Sequence, residues 1–187
     1  MTHVDLAASQ LVAFPRLSLA ALRAALLRDF GGSFAAYLQE AGYAGGAPVF
    51  EAFRTWLAAQ GAPAPEALDI DAFQERAAAF FVEAGWGSLS ISSLDGVAAA
   101  IDSPNWAEAD PASAMPYPAC YYSMGLLSDF FGRTADAPLA VLEVECRSNG
   151  HERCRFLVGS AEVMGKVYER VAEGVPYSDA VAELATA

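Results

Sequence analysis

Basic residues are scarce in this chain: 11 lysines and arginines stand against 23 aspartates and glutamates, a formal net charge of −12 over 187 residues. That surplus repels phosphate backbones, and no basic patch interleaved with aromatics offsets it, so nucleic acid is not an expected partner. Long apolar runs are missing as well. Although 55% of the residues are hydrophobic, no stretch approaches the roughly 18 to 20 uninterrupted apolar residues of a membrane helix. Met1 to Ser9 has neither the basic start nor the apolar core of a secretory signal, which points to a reducing, cytoplasmic compartment. The only histidines are His3 and His151, and neither has a nucleophile beside it in the pattern. Ser88 to Ser93 lacks the Gly-x-Ser-x-Gly elbow of a serine nucleophile. No glycine-rich loop follows a strand to hold a dinucleotide. The acid pairs Asp69 with Asp71 and Glu143 with Glu145 read as helix-start and strand-edge or ligand charges rather than as a catalytic couple. The sequence therefore points away from an enzyme.

The chain suits one ordinary domain. Residues 1–15 form an aperiodic arm ended by Pro15, and residues 16–187 the domain itself. Ser18 is a candidate N-cap for a helix with Leu19, Leu22 and Leu26 at helical spacing. Phe34, Tyr37, Leu38 and Ala41 continue a helical face that Gly42 is expected to stop, with Gly45-Gly46 as a linker. Val49, Phe50, Phe53, Trp56 and Leu57 mark the next helix, and Phe73, Ala77, Phe80, Phe81 and Ala84 the inner face of another over 69–84. Then the period changes: Ser88 to Leu94 alternates, Asp95-Gly96 turns, and Val97 to Ile101 returns, a hairpin. Three prolines make 110–118 a loop, and 119–131 reads as a helix. After a second hairpin, Ser160 opens a helix with Val163, Val167, Tyr168 and Val171 inward, and Ser178 caps a short last one. Four antiparallel strands with several helices and no βαβ alternation indicate an α+β fold.

All three cysteines bear on that second hairpin, over 139–158. Val141 to Cys146 is one arm, Asn149-Gly150 the turn, and Cys154 opens the other arm, while Cys120 lies upstream on the 119–131 helix. The thiols have three possible meanings: a disulfide, a metal site, or small buried apolar residues. A reducing compartment and an odd cysteine count disfavour the disulfide. Glu143, Glu145 and His151 all stand near enough in sequence to complete a tetrahedral zinc site, and imidazole is a common zinc ligand.

The runs Cys120-Tyr-Tyr-Ser-Met-Gly125-Leu-Leu, Val141-Leu-Glu143-Val-Glu-Cys146 and Gly150-His-Glu-Arg-Cys154-Arg-Phe156 resemble the 4-vinyl reductase domain family. This is the small-molecule-binding module of phenol- and xylene-responsive bacterial activators and of an accessory protein of bacteriochlorophyll synthesis. Gly42-Tyr-Ala-Gly45 and Asn105-Trp-Ala-Glu108-Ala also follow its pattern, so the likeness runs from about Pro15 to about Gly159. It implies a fold like that of trafficking-complex subunits and zinc held by Cys120, Glu143, Cys146 and Cys154. Such a site is closed by four protein ligands and is structural. It also implies an apolar cavity near the metal and a homodimer. Met124, one turn beyond Cys120, and Val141, two residues before Glu143, are candidate walls of that cavity, with Phe81 and Ile101 opposite; ordinary core is the alternative for each. The phenol sensors hold the phenol hydroxyl with a histidine and a tryptophan, and neither histidine here lies where that pocket would be. Those sensors also continue into output domains, whereas this sequence ends about thirty residues beyond Cys154, so a separate signalling partner is expected. The reading is a sensor or carrier of a hydrophobic small molecule. A tetrapyrrole accessory protein and a dimeric interaction scaffold are the alternatives.

Overall fold

Six α-helices and four strands follow one another among residues 4–186, those described by the computed structural model. They are α1 (Arg16–Phe30), α2 (Phe34–Ala59), α3 (Ile70–Glu83), β1 (Ser90–Leu94), β2 (Ala98–Ser103), α4 (Tyr121–Ala135), β3 (Ala140–Glu145), β4 (Cys154–Gly159), α5 (Ala161–Ala172) and α6 (Tyr177–Ala185). The first three residues of the expected arm, His3 among them, lie outside the described residues. Val4 and Leu11 of the remaining arm pack against the main core.

The strands form one antiparallel sheet in the order β1-β2-β4-β3. Strand side chains alternate between faces, and that sorts the sheet into two chemistries. Ile101, Val141, Cys154, Phe156 and Val158 face the main core with α2, α3 and α4, whereas Ala100 and Leu157 face Met164, Val167, Ala180 and Val181 of α5 and α6. On that second face Arg155 grips Asp102 through two bonds of 2.7 and 2.6 Å, and the Tyr177 hydroxyl donates to Glu145 at 2.6 Å. The expected α+β class and four-stranded sheet are what the structure contains.

Gly42 does not stop a helix, and Gly45-Gly46 is not a linker. α2 runs unbroken through both and even through Pro48. The glycines are needed for approach rather than for termination: a Cβ on Gly42 would overlap the carbonyl of Tyr122 on α4, and one on Gly125 of α4 the carbonyl of Gln39 on α2. Two helices this close cannot carry side chains at the crossing. Smaller differences follow the same logic of packing over pattern. α1 starts at Arg16 rather than after Ser18, and its one buried residue is Arg23, which bonds the carbonyl of Glu108 at 3.2 Å. Tyr37 and Tyr168, expected on inner faces, are exposed. Ser178 does not cap the last helix: α6 begins at Tyr177 directly after Pro176, which places Ser178 inside it. At the expected helix starts, Asp69 and Ser160 cap α3 and α5, accepting from Ala72 N at 2.8 Å and Val163 N at 3.2 Å. Asp95 and Gly96, both at positive φ, turn the first hairpin.

Candidate metal centre and apolar cleft

Three elements bring four acidic side chains to one point. Cys120 stands at the N-terminus of α4, Glu143 projects from β3 toward α4, and Cys146 and Cys154 flank the loop that joins β3 to β4. That loop is longer than a tight hairpin: a turn of 3-10 helix at Arg147–Asn149 and Gly150 at φ 90° carry the chain round. It is held from outside by Met115 N bonding Ser148 O at 2.7 Å and by Asp110 N bonding Ser148 Oγ at 2.8 Å.

The four are buried, with the cysteines at 0% exposure and Glu143 at 4%. Their ligand atoms all lie within 4.8 Å of one another. Cys120 Sγ is 3.7 Å from Cys146 Sγ and 4.0 Å from Cys154 Sγ. These are not bonded sulfurs, yet they match a shared ion, because tetrahedral arms of about 2.3 Å hold thiolates about 3.8 Å apart. Glu143 supplies the sharper test. Its Oε2 accepts from Cys120 N at 2.8 Å, while its Oε1 is buried with no hydrogen-bond partner. A buried carboxylate oxygen without a partner is costly, and a cation at the cluster would satisfy it. Burial pushes the Cys120 thiol well up, and burial together with the neighbouring Cys146 does the same to the Glu143 carboxyl. Cys146 moves the other way because, as thiolate, it accepts from Cys120 and Cys154. Four acids in one dry space cannot all ionise against each other, so full ionisation needs a positive ion among them. The group could hold a metal ion. His151 stays outside it: the ring is exposed, with Nδ1 3.3 Å from Cys146 N.

Glu108 is a residue the cysteine pattern did not single out. It is 3% exposed and sits at the N-terminus of α4, accepting from Tyr122 N at 3.0 Å and Ser123 N at 2.7 Å as well as from the Ser123 hydroxyl. With Glu143 on Cys120 N, two carboxylates occupy the positive end of one helix. Burial outweighs those bonds and pushes the Glu108 carboxyl up to about 7. Trp106 of the same segment is buried and donates Nε1 to Ser123 Oγ at 2.6 Å. The signal was present in Asn105-Trp-Ala-Glu108, but nothing in the spacing said which helix it would cap.

The four candidate cavity residues are not brought together. Ile101 lines a cleft of about 460 Å³ between the sheet, α3, the C-terminal end of α4 and the segment around Pro65–Leu68, with Phe73, Phe131 and Val158 among its other walls. Met124 and Val141 border a second hollow of about 330 Å³ against α2, beside Tyr43 and Gly125. Phe81 lines neither; its ring packs between Phe80, Trp106 and Phe130 at centroid distances of 5.1 to 5.8 Å. The aromatic stripe on α3 is core at this position.

No helix among the described residues is long and apolar enough to cross a membrane. Residues 105–160 match the family model of the V4R domain. A search of curated protein sequences gives no match. Among solved structures, the chain is similar to the phenol-responsive sensory domain of the transcription activator PoxR with phenol, at 16% identity and TM-score 0.63, covering 81% of this chain and 77% of that one. It is similar to a vinyl-4-reductase family protein from Methanocaldococcus jannaschii at 19% identity and TM-score 0.52, covering 79% and 82%. A trafficking protein particle complex subunit 3 from Naegleria fowleri, covalently bound to palmitic acid, gives 16% identity and TM-score 0.56, covering 77% and 91%. At these identities the likeness is one of fold.

Proposed function

The chain carries a V4R domain over residues 105–160, and on that premise we propose that it is a zinc-stabilised module that binds a hydrophobic small molecule, as a sensor or a carrier. One observation carries the reading: the cleft of about 460 Å³ walled by Phe73, Ile91, Ile101, Phe131, Leu139 and Val158. Ligand sites commonly measure roughly 300 to 1,000 Å³ and are lined mostly by apolar side chains.

The polar side chains of the lining are spoken for. Glu66 pairs with Arg54 at 2.6 Å, and Thr134 donates to the carbonyl of Phe130 at 3.3 Å. The lining includes no histidine or tryptophan. A ligand held there is selected by shape and by removal of apolar surface from water, and a buried hydroxyl on it would go largely unanswered. The ligand class that fits is a hydrocarbon, aromatic or aliphatic, rather than a phenol.

Zinc is the ion this donor set suits, since three thiolates favour a soft tetrahedral metal. Bound by four protein ligands, it supplies a fixed cross-link and leaves no open position for water or substrate. Cys120 and Glu143 then join the start of α4 to β3, and Cys146 and Cys154 close the loop between β3 and β4. An arm over 1–15, a single domain over 16–187 and a working homodimer belong to the same reading. Native mass spectrometry of protein purified from its own host tests it. The expected result is one zinc per chain and an additional organic mass; a metal-free, ligand-free chain that takes up no toluene in titration sinks it.

A further inference from the structure

The two edges of the sheet are built differently. β3 is defended: its register shifts between Glu143 and Glu145, Glu145 is engaged by Arg153 at 2.8 Å, and Ser128 of α4 donates to the carbonyl of Leu139 at the strand's start. α4 and α5 both pack against it. Bulges, charges and covering helices are the devices by which native proteins keep an edge strand from pairing with another chain. β1 has no bulge and no charge, and of the helices only α3 packs substantially against it. From Ala84 to Leu94 there is no charged residue and no proline. Its pairing with β2 is regular from Ser90 to Leu94, and Ser90, Ser92 and Ser93 are exposed. Among the described residues no backbone hydrogen bond leaves its outer side.

We propose that β1 is the surface through which two copies of this chain associate, strand to strand and antiparallel about a two-fold axis at Ser92, joining two sheets into one. The run is self-complementary. Turned end for end about Ser92, Ser90 meets Leu94, Ile91 meets Ser93, and Ser92 meets its own copy. Every cross-strand pair is then hydroxyl with hydroxyl or hydroxyl with aliphatic, and none opposes like charges. In a chain of net charge −12, copies repel each other over most approaches. The uncharged stretch from Ala84 to Leu94 is one edge along which two of them can meet without facing carboxylates. Ile91 is the cross-strand partner of Ile101, and both line the cleft, so the association sets two clefts on one continuous sheet.

The proposal rests on the homodimer part of the reading above and on neither its metal nor its ligand. Sedimentation velocity on the full, metal-loaded chain tests it. The wild type is expected at twice the chain mass. Ser92→Lys and Ser92→Glu, which place like charges at the axis, are each expected to run as monomers with unchanged metal content and circular dichroism. An equimolar mixture of the two is expected to restore the dimer. A wild-type dimer that both substitutions leave intact overturns this surface and leaves the homodimer standing. A mixture that stays monomeric overturns the pairing about Ser92. A monomeric wild type overturns surface and homodimer together.

Discussion

The two ends of α4 are held by opposite means. At its start, Cys120, Glu143 and Glu108 gather around free helix N–H groups with directional contacts of 2.7 to 3.0 Å. At its end, Phe131, Thr134 and Ala135 stand over an apolar hollow with no free polar anchor. Directional bonds set position, because they tolerate little displacement, and a metal ion held by the cluster would do the same. Apolar walls leave an opening whose selectivity is shape. One helix thus divides the labour: its first turn is fixed so that its last can line a space.

The largest expected effect comes from breaking the fixed end. Cys146→Ser or Cys154→Ser should abolish stoichiometric metal, measured by elemental analysis. It should also cost on the order of 5 kcal/mol or more of stability, a large part of what such a domain has. If either variant melts like the wild type, the cluster is not the anchor and the contrast between the two ends fails.

Next is the crossing that seats the helix. Gly125→Ala drives a methyl into the carbonyl of Gln39 and should destabilise by about 3 kcal/mol in urea titration, at the upper end of overpacking penalties. Gly165→Ala on α5, where a Cβ meets open space, is the control and should stabilise by about 0.5 to 1 kcal/mol.

A third effect depends on pH. The Glu108 carboxyl is held up to about 7 in the folded protein by burial, above its unfolded value, so the folded state binds the extra proton in between. Its contribution to stability is full below the unfolded pKa and is lost as pH rises through about 7. The wild type should therefore lose stability between pH 5 and 7 with a slope of at most about 1.4 kcal/mol per unit. Glu108→Gln, which has no proton to lose, should flatten that slope. Parallel slopes for the two proteins would remove Glu108 as its source.

The smallest effects on the fold belong to the open end and to His151. Ala99→Phe, a wall of the cleft, should weaken toluene binding at least tenfold, about 1.4 kcal/mol by calorimetry, with metal content unchanged. His151→Ala should leave both metal and melting temperature alone, since the ring lies outside the cluster; metal loss in this variant would redraw the donor set.

The local chemistry was legible where it depended on near neighbours. The turn at Asp95-Gly96, the helix starts at Asp69 and Ser160 and the alternation of β1 need only a few adjacent residues, and the structure has them; the caps expected at Ser18 and Ser178 did not form, because α1 and α6 begin earlier, directly after Pro15 and Pro176. The choice between Glu143 and His151 was not legible from spacing alone. Both are within five residues of Cys146, and only the strand's alternation turns Glu143 toward α4 while the loop leaves His151 in solvent. Gly42 misled for a related reason: in isolation a helical glycine breaks, and it is the backbone of α4 at Tyr122 that makes it a contact.

From its own pattern the chain determined the element types, an acidic surface, and a set of thiols and carboxylates close enough in sequence to share one hairpin. Tertiary structure decided which of these met. It seated Cys120 beside a loop 26 residues downstream, gave Glu143 a buried oxygen without a partner, and divided Ile101, Met124, Val141 and Phe81 among a cleft, a second hollow and solid core. Periodicity can say that a side chain points inward. Whether it then meets another side chain or an empty volume depends on elements far away in sequence, and only their packing settles it.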